Sequence, residues 1–296
     1  MIDFKTVSLG DKAWIDRLIK LEDSKNADCN FTNIFVWDDS FHQEVAEYCD
    51  RLLIKLMCHG TPFYAFPIGA GDLKPVIEAL REDAQSHGAP LKIRGITREN
   101  VALLEEHFPQ KFEIIEDADV FDYVYTLEKM ALLTGKKLHG KRNHINRFVE
   151  DNNWSFDAIG ADDIPLCIKL CQQWLEEGNG HGNVHAEHLA LKRVFENYFA
   201  LGLEGGVLRS DGEAIGFTIG ERLNSDTYIV HFEKAVGHIQ GAYAMVNRQF
   251  ARYVVEKYPD LRYVNREDDM GMENLRKAKR SYYPEFMIEK YTAVWK

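Results

Sequence analysis

No apolar run in this sequence approaches the roughly 20 residues that a helix needs to cross a bilayer. The opening MIDFKTVSLGDK puts acidic and polar residues where a signal peptide carries its apolar core, so a cytoplasmic protein without a transmembrane segment is expected. Cysteine is sparse. Cys29, Cys49, Cys58, Cys167 and Cys171 are odd in number and form no CxxC pair, which excludes a disulfide framework and a paired zinc motif. Cys167 and Cys171, four apart on an expected helix, lack further ligands and make a poor zinc site. A GxSxG elbow and a Walker loop are both missing, leaving hydrolase and nucleotide-triphosphatase readings without support. Positive charge is in deficit: 36 Lys and Arg stand against 47 Asp and Glu, a formal net charge of -11. That balance argues against DNA or RNA binding over the whole surface, though one basic patch can still meet RNA. What remains is 296 residues, 45% hydrophobic and 28% charged, the profile of a globular chain long enough for two cores.

Hydrophobic spacing divides the chain into two α/β units, 1–130 and 131–296. In the first, Trp14–Leu21 reads as a helix, Phe31–Trp37 as an aromatic, β-branched strand, and Leu52–Cys58 with Pro62–Ile68 as a hairpin turning at His59, Gly60 and Thr61. Leu73–Gln85 returns to helical spacing, Leu91–Ile96 is a strand, Arg98–His107 is a helix capped by Thr97, and Phe112–Leu127 closes the unit. The second unit repeats this order. Trp154–Ile159 is a strand, Ile164–Glu177 and Ala186–Gly202 are helices around a loop with Gly178, Gly180 and Gly182, and Gly206–Ser210 pairs with Ala214–Arg222 about Ser210, Asp211 and Gly212. Thr227–Phe232 is a strand, Ala242–Lys257 a helix, Leu261–Asn265 a strand, Gly271–Arg280 a helix and Glu285–Trp295 a last strand. Two successive units of this kind define a tandem mixed-sheet α/β fold, the topology of Gcn5-related N-acetyltransferases (GNAT).

One stretch breaks the acidic background. TGKKLHGKRNHINRF, Thr134 to Phe148, carries Lys136, Lys137, Lys141, Arg142 and Arg147. On a helix over 138–149, Arg142, Asn143, Asn146 and Arg147 share one stripe, with Ile145, Phe148 and Val149 on the other. Its functional reading is an anion site in which Gly135 and Gly140 let the backbone approach the ligand; its plain reading is a solvated helix face.

Gly135, Lys136 and Lys137 followed by Arg142, Asn146 and Arg147 resemble the start of the catalytic domain of phosphatidylglycerol lysyltransferases. HFEKA at His231–Ala235, GAY at Gly241–Tyr243 and NREDDMGMENLRKAKRSYYP at Asn265–Pro284 are similar to the stand-alone soluble members of that superfamily. The resemblance implies transfer of an aminoacyl group from charged tRNA to an acceptor such as a lipid head group, and the wider fold implies acetyl-CoA as the other donor. No permanently bound cofactor is implied. The lipid-modifying members carry a membrane-spanning portion ahead of this region, and its absence here tells against a lipid acceptor. Val236–Ala242, VGHIQGA, is poorer in glycine than an acetyltransferase pyrophosphate loop. Gln240, Gly241 and Ala242 can nevertheless present helix-start amides to an anion.

Acyl transfer needs a base and oxyanion donors. Glu233, just past a strand and before the anion loop, is the expected base, with Glu221 second, and Tyr283 beside Tyr282 is the expected general acid. Lys136, Lys137, Arg142, Asn146 and Arg147 are expected to bind the anionic part of the donor. Asn265, Glu267 and Asp268 are expected to bind substrate, holding an amide or an ammonium, against a plain reading as helix caps. Arg276, Lys277, Lys279 and Arg280 add a second basic patch suited to a tRNA acceptor stem. His181, His185 and His188 with Glu187 match no ligand spacing, and no metal is expected. The expected function is acyl or aminoacyl transfer to a small-molecule, lipid or peptide acceptor. Acetyl-CoA-dependent N-acetyl transfer, and non-catalytic binding of tRNA, peptide or head group, are the alternatives.

Overall fold

The computed structural model describes residues 2–58, 60–176 and 184–296. His181, the three glycines around it and His59 of the expected hairpin turn lie outside these residues. The chain runs β1 (Lys5–Thr6), α1 (Lys12–Ile19), α2 (Phe31–Val36), α3 (Asp38–Phe41), β2 (Glu44–Tyr48), β3 (Arg51–Cys58), β4 (Thr61–Ala65), β5 (Ile68–Gly69), α4 (Leu73–Ser86), β6 (Lys92–Ile96), α5 (Arg98–His107) and β7 (Phe112–Glu116). It continues through β8 (Asp122–Thr126), α6 (Leu127–Leu132), α7 (His139–Asp151), β9 (Trp154–Ala158), α8 (Ile164–Glu176), α9 (Val184–Leu201), β10 (Glu204–Ser210), β11 (Glu213–Arg222) and β12 (Thr227–Ala235). It ends with α10 (Ala242–Lys257), β13 (Tyr263–Asn265), α11 (Glu273–Arg280), β14 (Phe286–Ile288) and β15 (Tyr291–Trp295). Against the expected division at 130, two compact units form: Met1–Asp122 with Asp268–Gly271 and Met287–Lys296, and Tyr123–Glu267 with Met272–Phe286.

The first sheet has the order β1-β2-β3-β4-β6-β15-β7, with β5 on β3, and the second β14-β8-β13-β12-β11-β10-β9. Each contains the same crossover, a strand followed by a helix and a parallel strand: β4, α4, β6 in one and β12, α10, β13 in the other. In the first unit, Leu73, Val76, Ile77, Leu80 and Ala84 recur at three and four residues on α4 and are buried with Leu53, Tyr64, Leu91 and Ile93. Each large side chain so covered contributes about 1.5–3 kcal/mol. Asp72 caps α4 through the Lys74 N–H at 3.1 Å, and Thr97 caps α5 as its sequence predicts.

Three expected elements take other forms. Phe31–Trp37 is not a strand: Asn30 Oδ1 accepts the Asn33 N–H at 3.1 Å and starts α2. Phe31, Thr32, Ile34, Phe35 and Val36 of that helix are all buried, so no polar stripe marks its period. Phe112–Leu127 splits between the two sheets as β7 and β8, and Glu285–Trp295 splits into β14 and β15, with Lys290 buried before β15.

Candidate functional site

The second unit gathers a largely covered polar cluster around Glu233, and a β-bulge puts it there. Opposite β11, Ile219 faces Phe232 while Gly220 faces Val230, so His231 is the extra residue of β12. Tyr228 stacks edge-on to Phe250 of α10, and Glu233, five residues on, bonds Asn247 of the same helix. An unbroken strand would send residues five apart to opposite faces. Lys234 points the other way, its ammonium 3.5 Å from the Trp174 ring centre and 2.8 Å from Glu187.

Glu233 Oε2 accepts from Asn247 Nδ2 and Oε1 from Arg266 Nη2, each at 3.1 Å. Burial raises the Glu233 pKa above its ordinary 4.5, while Arg266, Asn247, Lys279 and Lys141 pull against that rise. Arg266 lies just past β13, its guanidinium 5.3 Å from the Tyr282 ring centre and 5.8 Å from Tyr125. Among the described residues, Arg266 Nη1 is buried and has no hydrogen-bond partner. The ammonium of Lys141 sits 4.1 Å from the other contacts' shared ring, Tyr282. Burial, then Arg266, lower the Lys141 pKa, and Glu233 opposes them. Burial raises the Tyr282 pKa, so its phenol keeps its proton.

The basic stretch reaches this cluster through a residue of its inner stripe. Lys141 stands four and seven residues before Ile145 and Phe148, the buried face of α7. Lys136, Lys137, Asn146 and Arg147 are exposed, and Lys137 lies 5.1 Å from the ring of the exposed Tyr283. Arg142 is engaged by backbone: Nη1 donates to the Leu133 carbonyl and, at 2.8 Å, to that of Gly135. Gln240, Gly241 and Ala242 form the head of α10, packed on α7, and among the described residues no side chain caps that helix. Asn265 is fully buried, and its Oδ1 accepts the Glu267 N–H at 2.7 Å; Asp268 Oδ1 accepts the Met270 N–H at 2.9 Å. Lys279 is buried, donating to the carbonyls of Arg266 at 2.6 Å and Glu267 at 3.3 Å. The structure thus brings Glu233 together with Lys141, Asn247, Arg266 and Tyr282, and leaves Tyr283 and the outer face of α7 apart. Asn247 was detectable as a polar residue on the otherwise apolar face of Met245, Val246 and Phe250.

Gly241 is held at φ +89°, and a Cβ there would meet the His144 carbonyl oxygen at 2.4 Å. Gly241→Ala is therefore expected to destabilise the protein by about 1–3 kcal/mol in urea unfolding. Gly237→Ala, where a Cβ meets nothing within 4 Å among the described residues, should stay within about 0.5 kcal/mol of the parent. Equal effects would refute the close packing of α7 on α10.

His231 is clamped between carboxylates, Nδ1 2.8 Å from Glu267 and Nε2 3.1 Å from Glu221. Burial alone would lower its pKa, but the two hydrogen bonds and charges outweigh it and raise the value from 6.5 to about 9. The folded state therefore holds a proton that the unfolded chain releases earlier. This contribution, on the order of 3 kcal/mol, is complete below pH 6.5 and is lost as pH rises through about 9. The urea midpoint should fall across that window, and a flat profile would contradict the clamp.

His185 and His188 are described, but among the described residues no group of three or more His, Cys, Asp or Glu is arranged to hold a metal. No helix among them is long and apolar enough to cross a membrane.

Two mixed sheets with paired strand-helix-strand crossovers define a tandem GNAT-like fold, also seen in a tandem GNAT protein from the clavulanic acid biosynthesis pathway (TM-score 0.51, 11% identity, covering 99% of this chain and 98% of that one). Residues 19–294 match the model of the phosphatidylglycerol lysyltransferase C-terminal family, and the chain belongs to that family. It is similar over the whole of both chains to a conserved protein of unknown function from Bacteroides thetaiotaomicron (37% identity, TM-score 0.94). The structure of L-PGS from Bacillus licheniformis superimposes with a TM-score of 0.70 at 15% identity, covering 100% of this chain and 94% of that one. An uncharacterised protein of Mycoplasmoides gallisepticum is 27% identical over 184 residues, 60% of this chain, and the match spans only 57% of that protein's length.

Proposed function

We propose that this protein is an aminoacyl transferase that moves an aminoacyl group from charged tRNA to the amine or hydroxyl of an acceptor, with Glu233 as general base. The observation that carries the reading is a carboxylate held ready: the Glu233 side chain is only 12% exposed, fixed by Arg266 and Asn247, and pushed toward higher pKa by desolvation. In this mechanism Glu233 takes the acceptor's N–H or O–H proton as the acceptor attacks the ester carbonyl. The new C–N or C–O bond forms, the bond to the ribose oxygen breaks, and the proton returns to that leaving oxygen. Arg266 Nη1 and Lys141 supply positive charge for the oxyanion, in surroundings where water screens it little. The exposed cations before and on α7, Lys136, Lys137 and Arg147, meet tRNA phosphates, while Arg142 holds the entry loop through the Leu133 and Gly135 carbonyls. Tyr283 stands beside Lys137 on that outer surface.

A second reading, an acetyl-CoA donor, is favoured by one feature: the head of α10 at Gly241 has no side-chain cap among the described residues, so ligand phosphate can meet its first-turn amides. Thermal unfolding separates the two. Stabilisation by aminoacyl-tRNA, weakening steeply with salt, is the expected result. Stabilisation by acetyl-CoA alone supports the second reading, and tRNA affinity insensitive to salt overturns the first.

A further inference from the structure

Arg266 stands on a turn, and that turn needs holding. Glu267 lies at φ +56°, in the left-handed region that a non-glycine residue occupies only when its surroundings impose it. Tyr123 and the turn exchange two backbone bonds, Tyr123 N–H to Glu267 O at 3.1 Å and Arg266 N–H to Tyr123 O at 3.0 Å. Asn265 Oδ1 and the Lys279 ammonium hold the backbone from within. The side chain of Glu267 is held from one further direction, by His231 Nδ1 at 2.8 Å. The other nitrogen of the same ring reaches Glu221 of β11 at 3.1 Å. One buried imidazole thus joins β11, β12 and the Arg266 turn, from the bulge position that also decides which face Glu233 leaves by.

We infer that His231 is a positioning residue of the Glu233 centre: by tying Glu267 to β11 and β12 it fixes the turn that presents Arg266 to Glu233. Its functional weight rests on the reading of Glu233 as the base, whereas its geometry does not. With glutamine at 231, the cationic bridge that joins Glu221 and Glu267 through the two ring nitrogens is lost. Glu267 is then no longer tied to β11 through that ring, and the adjoining Arg266 shifts away from Glu233.

The test is the carboxyl titration of Glu233, followed by carbon NMR in glutamate-labelled protein and assigned by the signal lost in Glu233→Gln. The groups facing this carboxyl are Arg266, Lys141 and Lys279 as cations, Asn247 as a neutral donor, and the phenols of Tyr125, Tyr243 and Tyr282. With Arg266 withdrawn, His231→Gln is expected to raise the Glu233 midpoint by about 1 pH unit or more. Glu267→Ala should raise it similarly, and it keeps the inference testable if His231→Gln does not fold. A midpoint unmoved in a folded variant overturns the inference. A midpoint that moves while Glu233→Gln transfers the aminoacyl group as well as the parent leaves His231 as a positioning residue and removes Glu233 as the base. An unmoved midpoint with transfer abolished by Glu233→Gln does the reverse.

Discussion

Replacing Glu233 with glutamine is expected to slow transfer by about 10²–10⁴-fold, the range that one positioned proton acceptor contributes. Glutamine keeps the shape and an oxygen for Arg266 at the 3.1 Å contact, but it cannot take a proton. It also removes the negative charge paired with the largely covered Arg266 guanidinium, so some stability is lost with the activity. Urea midpoints measured on the same preparation separate the two effects, because a folded variant at the assay temperature isolates the chemical step. The pH dependence adds a second signature. A base must be ionised, so kcat/KM should rise with pH along a limb centred above 4.5, since burial raises this carboxyl. That limb should vanish in Glu233→Gln. Full activity in the variant, or a limb that survives it, would place the base elsewhere, with Glu221 the next residue to examine.

The second large effect is structural and belongs to the first unit. Lys290 is 1% exposed, with its ammonium 2.8 Å from Asp122 and 3.1 Å from Asp28, and Asp122 also accepts the Ala27 N–H at 2.9 Å. Burial alone would lower the Lys290 pKa, but the carboxylates around it outweigh burial and raise it, while burial raises the Asp122 pKa against the pull of Lys290. Lys290→Met keeps much of the volume and leaves Asp122 buried without its cation. The expected loss is about 3–5 kcal/mol, read from urea unfolding. Adding Asp122→Asn should recover part of it, because the stranded charge is then gone. A loss under about 1 kcal/mol would mean that Asp122 reaches water.

What the sequence makes legible here is what local chemistry decides. The turn between β10 and β11 was readable because Asp211 and Gly212 suit the positive φ they adopt, +51° and +85°. Thr97 was readable as a cap for the same local reason. Family membership was readable from the long C-terminal run, and the match over 19–294 agrees with it. Features set by distant partners were not readable. The bulge at His231 arises from pairing with β11, and nothing in HFEKA announces that alternation stops there. The basic stretch drew the eye to its outer stripe, where charge is cheap to keep in water. Lys141, on the inner stripe four residues before Ile145, is the cation that burial singles out. Tyr282 and Tyr283 look alike in sequence, yet one is buried beside Arg266 and the other lies on the surface, a difference fixed by the turn after α11.

The most direct measurement follows a radiolabelled aminoacyl group from a mixed pool of charged tRNA in the presence of the protein and an extract containing polar lipids, amines and peptides. The account predicts that label leaves tRNA for an acceptor with the parent protein and stays on tRNA with Glu233→Gln. Label that stays on tRNA with both proteins, or moves equally with both, would contradict it.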